Sequence, residues 1–140
     1  MTVLDELTML AELDDAECYR LLAAQSVGRV GMMADGRVVV LPVNYVLLGH
    51  TIVLRTATDS WFDRSVRGAA LAFEVDHADP AYHSGWSVLA HGLAVGLESR
   101  LPISSLDTLP LRPWGLSVAP GWVGIDIEQI SGRRIVQIVP

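Results

Sequence analysis

Hydrophobic and polar positions divide this chain into short strand-like runs separated by turn signals, with helical segments in two places. Asp14 is a candidate N-cap with Glu17 three residues on, which predicts a helix over residues 14–25 ending before Val27-Gly28. A strand follows over 27–34, and Asp35-Gly36 supplies the left-handed angles of a two-residue hairpin. From 38 to 48 the apolar residues run almost without a break, the pattern of a strand covered on both faces, by a core on one side and a partner or ligand on the other. Gly49-His50 turns the chain into a strand over 51–56. Asp59 or Ser60 then caps a helix through Arg67, closed by Gly68.

A strand over 69–76 and a loop over 77–85 containing Pro80 come next, followed by a strand over 86–97 in which Gly92 and Gly96 mark bends or close backbone approach. The segment 98–121 holds Pro102, Pro110, Pro113 and Pro120 and supports only short helical turns. Residues 122–128 alternate, with Val123, Ile125 and Ile127 on one side and Gly124, Asp126 and Glu128 on the other. Ser131-Gly132 reads as a break before a last strand over 135–139. Six or seven strands at hairpin spacing with one inserted helix predict a mainly β, small closed or split barrel with a few short helices. With no internal repeat or linker, residues 1–140 form one predicted domain, and 1–12 an N-terminal arm.

Composition narrows the function. The formal net charge is -6, and the 10 basic residues are all arginine. An acidic chain lacks the general basic face that nucleic-acid binding requires, although arginine can still build one local anion site. A single cysteine, Cys18, rules out an internal disulfide. Residues 1–13 carry Asp5, Glu6 and Glu12 rather than the basic start of a signal peptide, and no uncharged run approaches a bilayer span, so the expected location is cytoplasmic, without membrane association.

The four histidines show no metal-ligand pairing, and no metal site is expected. Asp76, His77, Asp79 and His83 crowd one predicted loop, where a solvated acidic surface is favoured over a weak metal site. Neither a nucleophile elbow nor a spaced-glycine nucleotide fingerprint is present. What remains is an anion seat. Arg55 ends a strand, Thr56 follows, and Ser60 opens a helix carrying Arg64 and Arg67, so guanidinium groups, hydroxyls and free helix amides can converge on a phosphate. The same residues admit a structural reading in which Asp59 or Ser60 caps the helix while Arg64 and Arg67 are solvated. Trp86 and Ser87 at the start of a strand can cover a planar ring and bond its edge, or fill a core. Arg133-Arg134 can pair with carboxylates or reach a ligand or partner chain.

In order along residues 13–135, Cys18-Tyr19-Arg20-Leu21-Leu22, Val27-Gly28-Arg29-Val30, Leu41-Pro42-Val43-Asn44-Tyr45, Thr51-Ile52-Val53-Leu54-Arg55-Thr56, Phe73-Glu74-Val75-Asp76, Gly85-Trp86-Ser87-Val88 and Ser131-Gly132-Arg133-Arg134 appear. This succession resembles the pyridoxamine 5'-phosphate oxidase-like family of FMN-binding split barrels, nitroimidazole-resistance-type flavoproteins among them. The resemblance implies a Greek-key-like split β-barrel and a homodimer with two FMN sites between subunits. It also implies ring contacts from Val43 and Asn44, phosphate-end contacts from Arg55, Thr56, Ser60 and Trp61, and an approach by Trp86 and Ser87 from the partner. Many relatives place a lysine where this chain has Trp61, and Arg64 is the candidate replacement for that charge. The implied function is an FMN-dependent oxidoreductase acting on a small-molecule redox substrate, with catalytic residues unassigned. Pyridoxamine phosphate oxidation itself is not expected, because basic residues for a second phosphate subsite cannot be placed. The alternatives are an F420-dependent oxidoreductase on the same fold and a flavin-free dimeric binding or structural module with a degenerate phosphate site. Haem binding through His50, His83 or His91 is the more remote one.

Overall fold

The structure, a computed structural model, describes residues 2–5, 8–81, 84–111 and 119–137, and every strand pairing among them is antiparallel. In chain order the elements are β1 (Thr2–Asp5), β2 (Thr8–Leu13), α1 (Asp15–Ala24), β3 (Val27–Ala34), β4 (Arg37–Asn44), β5 (Val46–Leu48), β6 (Thr51–Ala57), α2 (Trp61–Val66), β7 (Ala70–Asp79), β8 (Ser84–Gly96), α3 (Ile103–Leu106) and β9 (Pro120–Gln137). The predicted N-terminal arm contains a hairpin, β1 and β2, whose second strand pairs with the end of β9. Among the described residues no helix is long and apolar enough to cross a membrane.

The barrel wall runs β6-β9-β8-β7-β3-β4. β4 pairs with β3 and with no other described strand, while residues 54–57 of β6 pair only with β9. The wall is therefore split between β4 and the second half of β6. Pro42 lies within β4, and a proline has no N–H for a ladder, so this is an edge strand by its own chemistry. The two-residue turn before β4 has positive φ at both Asp35 (53°) and Gly36 (76°), as a twisted hairpin requires.

α1 is capped as its sequence indicates, with the Asp14 carboxylate accepting from the Glu17 amide at 2.8 Å. It buries Cys18, Leu21 and Leu22 in the main core with Val30, Phe73, Val88 and Ile125. A smaller core of Val53, Leu97, Leu106, Leu111 and Trp122 lies on the other side of β6. Each large apolar side chain removed from water contributes about 1.5–3 kcal/mol.

Four features differ from the sequence expectation. The run 38–48 is bent at Tyr45, because that residue turns into the core: its amide donates to the Ser26 carbonyl at 3.0 Å and its hydroxyl to the Leu22 carbonyl. The run's outer face is open in one chain, with Val38 and Val40 75% and 61% exposed, which accords with a face expected to meet a partner or ligand. Ser131-Gly132 does not break a strand, and β9 continues through it for 18 residues. Gly132 is there for packing, because a Cβ would stand 2.7 Å from Cys18 Sγ. The predicted loop 77–85 is mostly ladder, with His77 opposite Trp86 and Asp79 opposite Ser84. Finally, residues 121–125 are buried on both faces, since Gly124 lies under Leu97 and Thr51. The end of the predicted last strand, 138–139, lies outside the described residues.

Gly92 sits where the β8–β9 register shifts, and a Cβ there would be 2.0 Å from the Asp126 carbonyl oxygen. Gly92→Ala should therefore cost about 1–3 kcal/mol in urea unfolding, since that neighbour is backbone and cannot rotate away. Gly31→Ala, whose new methyl would meet Ala72 at an ordinary 3.5 Å, should leave the midpoint nearly unchanged.

Candidate functional site

α2 is fastened to the barrel by a buried carboxylate. Asp63 is 3% exposed and accepts from the Thr56 hydroxyl at 2.5 Å, Arg67 Nε at 2.9 Å and the Asp59 amide at 3.2 Å. Burial pushes its carboxyl up, but those bonds outweigh burial and hold it below the usual carboxylate range. Arg67 then reaches Glu98 through Nη2 at 2.7 Å and Nη1 at 3.1 Å, and Glu98 also accepts from the Trp122 amide at 2.9 Å. The Arg67 guanidinium holds the Glu98 carboxyl at about 2, and Glu98 in turn raises the Arg67 pKa. Ser60 caps the helix, accepting from the Asp63 amide at 3.1 Å.

This anchorage places the start of α2 beside the split. A cavity of about 520 Å³ opens there, walled by Leu41, Pro42, Val43 and Asn44 of β4, by Arg55, Thr56 and Ala57 of β6, and by Ser60, Trp61 and Phe62. Alternate residues of an edge strand turn both N–H and C=O away from their neighbour, so β4 offers unpaired peptide groups to this space. The first turn of α2 leaves the Trp61 and Phe62 amides without intrahelical acceptors. At the mouth, the Trp61 indole N–H donates to Asp35 Oδ2 at 3.3 Å, which joins α2 to the β3–β4 turn.

Of the sequence-predicted residues, the structure brings Val43, Asn44, Arg55, Thr56, Ser60 and Trp61 around one cavity. Their duties differ. The Thr56 hydroxyl is committed to Asp63, so only Arg55 brings a positive charge to the lining. Its Nη1 donates to the Leu111 carbonyl at 2.9 Å, its guanidinium carbon lies 5.2 Å from the Trp122 ring centroid, and Nε is buried with no acceptor among the described residues. Arg64 is not part of the lining and donates to the Asp59 carbonyl. Trp86 and Ser87 lie elsewhere, lining a cavity of about 430 Å³ with His77 and Arg133. Arg134 meets Glu17 at 3.4 Å. The histidines considered for haem are scattered: His50 stacks on Tyr19 with centroids 4.0 Å apart, His91 is exposed on β8, and His83 lies outside the described residues. Sequence reading missed Pro42, Phe62 and the fastening role of Arg67 and Glu98. Pro42 carried a signal, a proline inside an apolar strand, whereas Glu98 lies 31 residues from Arg67 and carried none.

Residues 14–134 match the sequence profile of the family described as Pyridoxamine 5'-phosphate oxidase. An uncharacterized protein of Mycobacterium tuberculosis is 32% identical over 132 residues, which cover 91% of this chain and 86% of that one. A structure described as the FAD binding protein from Mycobacterium smegmatis superposes with a TM-score of 0.75 at 28% identity, over 89% of this chain and 98% of that one. A conserved protein of unknown function from Corynebacterium diphtheriae gives a TM-score of 0.74 at 31% identity, over 91% and 98% respectively.

The Glu98 carboxyl sits near 2 when folded against an ordinary value of 4.5, so the unfolded chain binds more protons across that interval. Stability from the Arg67–Glu98 pair should be fully present above about pH 5 and lost as pH falls toward 2. Glu98→Gln should flatten this part of the acid unfolding profile, as followed by circular dichroism against pH.

Proposed function

Because this chain belongs to the pyridoxamine 5'-phosphate oxidase family, we propose that it is a flavin-dependent oxidoreductase holding an FMN moiety in the split between β4 and β6. The observation that carries this reading is the cavity's construction: apolar walls, an open strand edge along one side, and a single guanidinium with an unsatisfied buried Nε. The relative described as an FAD binding protein supports the choice of a flavin.

Each part suits a portion of such a cofactor. Pro42, Val43, Trp61 and Phe62 exclude water from a planar heterocycle. The free peptide groups of β4 bond the donor and acceptor atoms along the ring's edge and fix its orientation. Arg55 and the first amides of α2 receive the anionic tail. When bound, the flavin supplies the hydride and electron chemistry, while the chain contributes position, dielectric and hydrogen bonds. In this reading a small-molecule redox substrate approaches the exposed ring face.

The protein acts as a homodimer in the same proposal. Met33, Val38 and Val40 form an outward apolar group on β3 and β4, 61–75% exposed in one chain. A second copy laid on that face would remove it from water, and in the same reading Trp86, Ser87 and Arg133, which share one cavity, serve the partner's cofactor.

Titrating the apoprotein with FMN, followed by gel filtration, should leave flavin absorbance with a species near twice 15.2 kDa. Arg55→Ala should weaken FMN by tenfold or more, the size of a charge-assisted hydrogen bond of about 1.5–3 kcal/mol, while moving the urea midpoint far less. No flavin retention by the wild-type chain would replace this reading with a flavin-free module.

A further inference from the structure

One polar contact crosses the split in the barrel wall. Trp61, the first residue of α2, donates its indole N–H to Asp35 Oδ2 in the β3–β4 turn at 3.3 Å. Among the described residues no other hydrogen bond or ion pair joins the β3–β4 hairpin to β6 or α2. The two partners are mounted differently. α2 is fastened to the barrel through Asp63, whereas β4 has a ladder on one side only, so the hairpin is the side able to move.

The contact is also one that can open. Trp61 is 42% exposed and Asp35 is exposed, so water replaces either partner when they separate and no buried polar group is left unsatisfied. Reclosing is equally direct, because the left-handed angles of Asp35 and Gly36 hold the turn in one shape. Behind the contact lies the cavity of about 520 Å³, of which Trp61 itself is a wall.

We propose that Trp61 and Asp35 form a gate on this cavity: the end of the hairpin lifts away from α2, a planar ligand passes, and the bond recloses over it. The proposal rests on the flavin reading for the ligand that passes, and it gives Trp61 a kinetic duty. Because the bond is made with the cavity empty or filled, losing it speeds entry and exit alike and leaves affinity nearly in place. One net hydrogen bond corresponds to about threefold to tenfold in each rate.

The test measures FMN association by stopped-flow fluorescence and dissociation by dilution, on the full-length protein. Trp61→Phe keeps a ring and removes the donor, and Asp35→Gly removes the acceptor at a positive φ that glycine tolerates. Each is expected to raise both rates about threefold to tenfold, and the double variant to be no faster than the faster single one. Asp35→Asn, which keeps an acceptor oxygen, should stay near wild type. Unchanged rates would overturn the gate, and so would faster exit with unchanged entry, which marks Trp61 as a plain ligand contact; both leave the flavin reading standing. Should the wild-type chain bind no FMN, the flavin reading falls and amide exchange in the ligand-free protein decides the gate. Residues 33–40 should then exchange about threefold to tenfold faster in Trp61→Phe while β8 is unchanged, and equal exchange would overturn the proposal.

Discussion

The arrangement around the split depends on one buried carboxylate. Asp63 gathers a hydroxyl from β6, a guanidinium from the end of α2 and an amide from the turn before it, so three pieces of chain are fixed relative to one another at a single point. A six-residue helix has little intrinsic stability. It holds its place because losing any one of these donors would leave a charge in a nearly dry site. The helix mouth beside the cavity is thus held in position before any ligand arrives.

Local signals in the sequence read well. The Asp14 cap, the Asp35-Gly36 turn, the Ser60 cap and the bend at Gly92 all appear in the structure, since each follows from the chemistry of two or three neighbouring residues. Non-local facts were less legible. Whether Gly132 marks a turn or a place for a sulfur atom depends on Cys18, which is 114 positions away in sequence. The run 38–48 showed its greasiness plainly but not its kink, which Tyr45 creates by reaching back to Leu22.

For the cavity, sequence order named six of its residues because β4, β6 and α2 follow closely in the chain. It could not assign their duties. Thr56 and Arg67 looked available to an anion and are instead engaged with Asp63 and Glu98, while Arg64 is drawn to a carbonyl of its own turn. The indole of Trp61, the apparent intruder, takes a carboxylate partner across the mouth and leaves about 520 Å³ beside it.

β9 is bound along its length to three neighbours, β2, β6 and β8. Moving it by one position would turn its inward residues outward against all of them together. Partial loosening of the barrel therefore has no inexpensive route through its centre, and the strand acts as a keystone that makes melting a concerted event. Strands tied by one ladder alone, the edge strand at the split among them, are where local opening costs least.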